Sequence, residues 1–429
     1  MQTTVSLCMI IRNEENFLSG CLESVKHLVN EMIIVDTGST DGSVEIAKRY
    51  GAKIFHHRWN NDFSEARNHA LQHAKGDWVL HLDADEELKK EDISLVKEII
   101  KDKDTNGVQC VIYNVQKDSS DFLISYFFRL FRNNIGVSYS GLIHETPIIP
   151  GKLSHSNIRI IHYGYASSKE GLKDKCERNV RLLRKQLIDS PDDPFIHFHL
   201  AKTYYQLKTF DMALAEGEEV LRLMPITAFK TRPELEIFVL MACVQFNKGN
   251  FLDAERMCLE AIRINPNYLD PYFFLGHVYL KQGDFEKAIL YYEKYQKKRK
   301  PFEEGLEFNC VGLHSLTRQH EVYFALGLIY EREKNYQKAI EKYFKALETN
   351  PRYAEAYNGL ATAYFAQNEI DNAIIMLEKA ISVKPNYAMA HKNLGVIYAK
   401  QNKFKLAAET FEKAIQIISG NQKTQKEYV

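Results

Sequence analysis

About the first 165 residues alternate between short continuous apolar runs and apolar positions at helical spacing, a pattern typical of a parallel α/β sheet. The apolar runs predict strands at 5–11, 32–35, 52–56 and 78–82. Between the first two runs, apolar residues three and four apart predict a helix with one apolar face. Asp36, Asp83 and Asp85 directly follow predicted strands, and open α/β sheets bind their ligands at these carboxyl ends.

From about residue 168 the apolar spacing becomes entirely helical and repeats every 34 residues. The repeat pattern pairs small residues with aromatic ones, and its clearest unit contains Leu326, Gly327, Tyr330, Ala339, Tyr343, Ala346 and Pro351. This spacing resembles tetratricopeptide repeats, and about six units are predicted. We therefore expect an α/β domain over 1–167 and a helical repeat domain over 168–429, with an insertion near 297–318 that forms a loop or a displaced helix.

Charge and cysteine content narrow the classes of function. The 429 residues contain 56 basic and 56 acidic side chains, which disfavours binding of nucleic acid or anionic membrane by bulk charge. The first apolar run is too short for a signal peptide or a membrane span, so we expect a cytoplasmic protein. The seven cysteines are scattered and form no Cys-x-x-Cys pair, which indicates reduced thiols.

The sequence Asp83-Ala84-Asp85 is a D-x-D motif directly after an apolar strand. Two carboxylates in this place can bind a divalent cation that neutralises a diphosphate, which suits Mg²⁺ or Mn²⁺. A solvated turn is the alternative interpretation of the motif alone. The adjacent histidines His56 and His57 lie at a strand end and are not favoured as metal ligands.

Four ordered segments together resemble a known enzyme family. They are the segments 10–15 (IIRNEE), 35–43 (VDTGSTDGS), 63–68 (FSEARN) and 82–86 (LDADE). They resemble family-2 glycosyltransferases of GT-A fold, whose sheet is mostly parallel. The fusion to tetratricopeptide repeats is similar to sublancin-type S-glycosyltransferases, which modify a cysteine of a bacteriocin precursor peptide. Two less distinctive segments, 141–145 (GLIHE) and 162–165 (HYGY), add to this narrower resemblance.

The resemblance implies a donor site for a UDP-sugar. Asp36 would contact the uracil or ribose, with Arg67 nearby, and Arg12, Asn13 and Glu14 would line the nucleotide. Asp83 would face the ribose or the outer shell of the metal, and Asp85 would bind Mg²⁺ or Mn²⁺ directly. His162 is the candidate for a further metal ligand; a buried structural histidine is its alternative interpretation.

Inverting transfer needs a base on the face of the sugar opposite the departing UDP. His144 and Glu145 lie in a loop after Gly141, and we predict that one is the base and the other orients it; the alternative is that both brace the acceptor loop. A thiol acceptor demands less of the base than an alcohol does. Glu86 and Glu87 are interpreted as solvated residues at the start of the next helix.

The predicted function is metal-dependent transfer of a hexose from a UDP-sugar to a peptide held by the repeats, with a cysteine thiol as the narrower hypothesis. One alternative acceptor is a hydroxyl on protein Ser/Thr or on a cell-surface glycan intermediate. A second alternative is a non-catalytic repeat scaffold, which the intact Asp36, Asp83 and Asp85 disfavour. The repeats could instead be a structural array or form a homodimer.

Overall fold

The computed structural model describes residues 3–115, 122–164, 169–303 and 313–426. Contacts divide the chain into two compact units, Met1–Phe274 with Lys298–Leu316, and Leu275–Lys297 with Thr317–Val429. The predicted border at 167 lies between the last strand, which ends at His162, and the next helix, which begins at Lys169. The first unit nevertheless continues well beyond it, because the first helices of the repeat region pack with the α/β part.

The α/β part contains ten strands and four α-helices among its described residues. The strands are β1 (Val5–Ile11), β2 (Glu31–Asp36), β3 (Lys53–His56), β4 (Trp78–His81), β5 (Glu86–Leu88), β6 (Thr105–Val115), β7 (Phe122–Arg132), β8 (Ser138–Ser140), β9 (Thr146–Ile148) and β10 (Lys152–His162). The helices are α1 (Leu18–Val25), α2 (Ser43–Arg49), α3 (Phe63–Leu71) and α4 (Ile93–Ile99).

Eight strands form one sheet in the order β3-β2-β1-β4-β7-β6-β10-β5, and β8 pairs with β9. The pairs β3-β2, β2-β1, β1-β4 and β6-β10 are parallel, whereas β4-β7, β7-β6 and β10-β5 are antiparallel. This confirms the predicted mostly parallel α/β sheet. The predicted strands were continuous apolar runs because both faces of the sheet are covered. Leu7 packs in the cluster on one face with α1, and Cys8 packs in the cluster on the other face with Ala70 of α3.

The interpretation of Glu86 as a solvated residue that begins a helix is wrong. Glu86 lies in the short strand β5, pairs with His162 across the antiparallel β5-β10 ladder and is only 1% exposed. The next α-helix begins at Ile93. Glu87 lies in the same strand and is half-buried.

The repeat region contains thirteen α-helices among its described residues. They are α5 (Lys169–Asp189), α6 (Pro194–Gln206), α7 (Phe210–Leu223), α8 (Glu236–Asn247), α9 (Phe251–Ile264), α10 (Asp270–Gln282), α11 (Phe285–Glu303), α12 (Gln319–Arg332), α13 (Tyr336–Thr349), α14 (Ala354–Ala366), α15 (Ile370–Val383), α16 (Ala388–Lys400) and α17 (Phe404–Lys426). From α6 onward they follow one another as six consecutive helix pairs.

Glycines of the second unit let paired helices approach closely. A Cβ atom on Gly276, Gly327 or Gly395 would come within 3 Å of the aromatic ring that lies sixteen residues further along the chain. For Gly327 that ring belongs to Tyr343, which is fully buried. The small and aromatic positions of the sequence repeat are therefore packing partners.

The predicted insertion near 297–318 is partly helical. Helix α11 extends to Glu303, while Gly305 and Gly312 lie outside the described residues. Leu313 then forms an antiparallel bridge with Ile124 of β7. Asp270 accepts hydrogen bonds from the backbone N–H groups of His314 and Ser315, both 2.9 Å long, which fastens the end of the insertion within the first unit.

Candidate active site

The site lies at the carboxyl edge of the sheet, where four predicted polar positions meet. Asp36 is the last residue of β2, and the D-x-D motif follows β4. His162 is the last residue of β10, which runs in the same direction as β4. The backbone N–H of Tyr163 donates to the carbonyl oxygen of Asp85 at 2.9 Å, so the end of β10 and the D-x-D turn are directly connected.

Asp36 stabilises the turn that follows it through hydrogen bonds. Its carboxylate accepts the N–H of Ser39 at 2.9 Å and that of Gly38 at 3.3 Å, and it lies 3.2 Å from His56 Nδ1. Burial alone would raise the pKa of Asp36, but hydrogen bonds from Ser39, His56 and Gly38 lower it overall. Asp36 thus remains a buried carboxylate that holds the loop after β2.

The loop after β1 is connected to the loop after β2. The side chain of Asn13 accepts the N–H of Thr40 at 2.7 Å, and the N–H of Glu14 donates to Ser43 Oγ at 2.7 Å. Burial, followed by the nearby carboxylates of Asp85 and Asp83, raises the pKa of Glu14 to about 7. Arg12 is exposed at the edge of this loop. Glu14 therefore lies near the two carboxylates of the D-x-D motif.

Both carboxylate oxygens of Asp83 accept hydrogen bonds from arginines. Arg67 Nη2 of α3 donates to Oδ1 at 2.9 Å, and Arg129 Nη2 of β7 donates to Oδ2 at 3.1 Å. Arg129 also donates to Glu86 Oε1 at 2.6 Å. Burial opposes ionisation of Asp83, yet the two guanidinium groups hold its pKa well below the usual range. Asp83 is therefore a half-buried link between α3 and β7.

His81 lies behind Asp83, between the two arginines. It contacts Arg67 Nη1 through Nε2, and its Nδ1 lies 2.7 Å from the hydroxyl of Tyr139 and 3.3 Å from Arg129 Nη1. Burial, and then the positive charges of Arg67 and Arg129, lower the pKa of His81 to about 3. The ring is neutral at physiological pH and supports the arginines without adding charge.

Asp85 and His162 face each other at the carboxyl edge of the sheet. Asp85 Oδ2 is 3.3 Å from His162 Nε2, and His162 Nδ1 is 2.8 Å from Asn114 Oδ1. Burial lowers the pKa of His162, but the carboxylate of Asp85 raises it overall. Because an amide oxygen only accepts, His162 Nδ1 carries the proton, and its Nε2 is directed at Asp85.

The donor atoms of Asp85 and His162 fit a divalent cation that takes its remaining ligands from a diphosphate and water. A Cβ atom on Gly164 would come closer than 3 Å to both side chains, so only a glycine lets the backbone approach them this closely. Within the described ranges, no group of three or more His, Cys, Asp or Glu side chains is arranged to hold a metal on its own.

His144 and Glu145 lie together in sequence but have different partners. The carboxylate of Glu145 pairs with Arg67 Nε, which places it one guanidinium group away from Asp83. The His144 ring instead stacks on His199 of α6, at 3.9 Å between ring centroids. The described contacts thus bring Glu145 into the site network and do not pair it with His144.

Sequence reasoning missed Arg129, His81 and Tyr139. Arg129 could have been found as the single charged residue in the apolar run 122–131, because an arginine within a buried strand needs a carboxylate partner.

Comparison with known proteins identifies the chain. Residues 6–154 match the glycosyl transferase family 2 model, and 269–297, 331–394 and 388–421 match tetratricopeptide repeats. A tetratricopeptide-repeat protein of Synechococcus elongatus is 31% identical over 66% of this chain and 73% of its own length. The chain belongs to the glycosyltransferases of family 2 that carry tetratricopeptide repeats.

Two further relatives are glycosyltransferases by name. The prophage-derived glycosyltransferase SunS of Bacillus subtilis is 28% identical over 58% of this chain and 60% of its own length. An uncharacterised glycosyltransferase of Rickettsia typhi is 40% identical over 20% of this chain and 30% of its own length. Among solved structures, MamA aligns with 43% of this chain at 27% identity and a TM-score of 0.34. No helix among the described residues is long and apolar enough to cross a membrane.

Proposed function

We propose that the protein is an inverting, metal-dependent glycosyltransferase that moves a hexose from a UDP-sugar to a cysteine thiol of a peptide. The observation that carries this proposal is the arrangement at the carboxyl edge of the sheet. Asp85 and His162 face each other on one side, partly exposed to solvent, and Arg67 connects Asp83 to Glu145 on the other.

Electrostatics supports metal dependence. The acidic side chains named above outnumber the two buried arginines, so a diphosphate would be repelled from this edge without a cation. Asp85 and His162 would hold Mg²⁺ or Mn²⁺, and the ion would neutralise the charge that develops on the departing diphosphate. Asp36 and the segment Arg12–Glu14 would hold the nucleotide.

Glu145 is the proposed base. Its carboxylate is fixed by Arg67 within the network that contains the D-x-D motif, whereas His144 is directed toward α6. As the acceptor sulfur bonds to the anomeric carbon, the carbon–oxygen bond to the diphosphate breaks and the thiol proton passes to Glu145. UDP leaves from the opposite face of the sugar, so the configuration inverts.

The choice of a peptide acceptor rests on the repeats and on the resemblance to sublancin-type S-glycosyltransferases. Tetratricopeptide arrays provide extended surfaces that suit peptides. A hydroxyl acceptor is the second candidate, and it would ask more of Glu145 because alcohols are less acidic than thiols. Matched peptides that differ only by Cys or Ser at one position would separate the two acceptors.

Calorimetry of UDP binding, with and without Mn²⁺, tests the donor site. We expect binding that depends on Mn²⁺ and is lost in Asp85→Asn, because that variant removes one proposed metal ligand. The exposed Asp104 offers a matched control, and Asp104→Asn should bind UDP as the unmodified chain does. Binding without Mn²⁺, or equal binding by Asp85→Asn, would reject the metal assignment. Absence of UDP binding under all conditions would reject the donor.

A further inference from the structure

The loop 141–145, which carries the proposed base, is fastened to α3 on one side. Ser64 Oγ donates to the carbonyl oxygen of Gly141 at 2.6 Å, and the N–H of Phe63 donates to the carbonyl oxygen of Leu142 at 3.0 Å. The side chain of Glu145 then reaches Arg67 on the same helix. These contacts belong to the α/β part and place Glu145 beside the donor site.

The other side of the loop packs against the first helices of the repeat region. Ile143 is 5% exposed and packs in an apolar cluster with side chains of α5 and α6, namely Leu182, Leu183, Ile196 and Leu200. The next residue, His144, lays its ring on that of His199 with an interplanar angle of 12°. Ile143 and His144 thus contact the repeat helices, whereas the next side chain, that of Glu145, contacts the α/β part.

His144 adopts a backbone conformation that requires support. Its φ is 56°, in the left-handed region, which few residues other than glycine adopt. Such a conformation persists only where surrounding contacts determine it. His144 Nε2 is buried and has no hydrogen-bond partner among the described residues, so the ring is held by packing. The stack on His199 is the closest ring contact of His144.

We propose that His199 is a positioning residue of the transferase. Its ring holds His144 and thereby fixes the direction of the loop, so that the neighbouring Glu145 stays on Arg67 beside the donor site. The inference rests on the proposed role of Glu145. It also makes the first repeat helix pair a component of the active site, in addition to any part it has in binding an acceptor.

His197, two residues away on the same helix, offers a matched control. It is also buried, but its Nδ1 lies 2.6 Å from Glu216 and its Nε2 lies 3.0 Å from the carbonyl oxygen of Pro191. These partners belong to the helical region, and none is in the loop. Replacement of His197 should therefore lower the stability of the helices without releasing the loop.

The test compares His199→Leu, His199→Phe and His197→Leu by hydrogen–deuterium exchange of residues 139–146. We expect faster exchange in His199→Leu, which removes the aromatic face. His199→Phe should exchange at the original rate, because phenylalanine can stack on His144. Unchanged exchange in His199→Leu would overturn the proposal, as would equally fast exchange in His197→Leu, which would indicate general loss of helix stability.

A kinetic comparison supplies the functional readout. With Mn²⁺, UDP-glucose and a cysteine peptide, His199→Leu should lower kcat roughly fivefold, an effect of the size of an aromatic contact, and leave UDP affinity unchanged. His199→Phe should restore kcat. A fall in UDP affinity with kcat unchanged would overturn the positioning role. If the unmodified chain binds no UDP, the proposed function fails, while the exchange experiment still decides whether His199 holds the loop.

Discussion

Replacement of Arg129 by methionine tests the buried charge network behind the D-x-D motif. Arg129 is the shared partner of Asp83 and Glu86, and methionine retains much of its apolar stem without the guanidinium group. The Arg129 side chain is 12% exposed and that of Glu86 only 1%, so water cannot replace the lost donor at Glu86. The variant therefore leaves the buried carboxylate of Glu86 without the guanidinium group that pairs with it.

We expect a large loss of stability. Removing one partner of a buried ion pair typically costs about 3–5 kcal/mol, because the remaining charge stays desolvated. Arg159 provides the comparison, since it pairs with Asp92 but is itself 42% exposed. Arg159→Met should cost less than Arg129→Met, because water can replace the exposed guanidinium group of Arg159. Removal of both buried charges in Arg129→Met/Glu86→Leu should recover a substantial part of the loss.

Urea unfolding followed by tryptophan fluorescence is the appropriate measurement. The two tryptophans of the chain, Trp59 and Trp78, both lie in the α/β part, and Trp78 is fully buried. The signal therefore follows the unit that contains the network. An Arg129→Met cost no larger than that of Arg159→Met would refute the network as a source of stability. If Arg129→Met/Glu86→Leu is no more stable than Arg129→Met, the unpaired charge of Glu86 is not the cause of the loss.

Two further effects follow from burial and packing. Burial, followed by the neighbouring positive charges, lowers the pKa of His144 to about 3, so below pH 6.5 protons bind the unfolded chain in preference to the folded one. Between pH 7 and pH 5 His144 should contribute about 2 kcal/mol to the loss of unfolding free energy, and the loss should be smaller by that amount in His144→Phe, as measured by urea unfolding at both pH values. In the second unit, Gly327→Ala should cost about 1–3 kcal/mol, because its methyl group would meet Tyr343, whereas a methyl group at Gly420 of α17 meets no atom within 4 Å. Gly420→Ala should therefore stabilise by up to about 1 kcal/mol, and thermal melts followed by circular dichroism that show the same sign for both glycines would contradict the packing argument.

The fold was predictable because its determinants are local. A strand buried on both faces gives a continuous apolar run, and a helix gives apolar residues at intervals of three and four. The repeat period added a second regularity, since Gly327 and Tyr343 recur as a packed pair in neighbouring units. Acidic residues at the strand ends, such as Asp36, were found from topology alone.

The partners of the site residues were not predictable, because they come from distant parts of the chain. Arg129 reaches Asp83 from β7, and His199 reaches His144 from a helix of the repeat region. The error over Glu86 has the same origin. A glutamate after a polar turn resembles a solvated helix start, and only the pairing of β5 with the distant strand β10 buries it.

The two acids of the D-x-D motif have different partners: Asp83 pairs with two arginines, and Asp85 faces a histidine. Asp83 has both oxygens occupied by buried arginines, so it cannot turn toward a cation without breaking an ion pair. Asp85 faces His162, and Gly164 packs closely against both side chains. The motif therefore combines one carboxylate held by two arginines with one paired with a histidine. Because Arg67 pairs with both Asp83 and Glu145, its guanidinium group fixes the distance between the D-x-D motif and the proposed base.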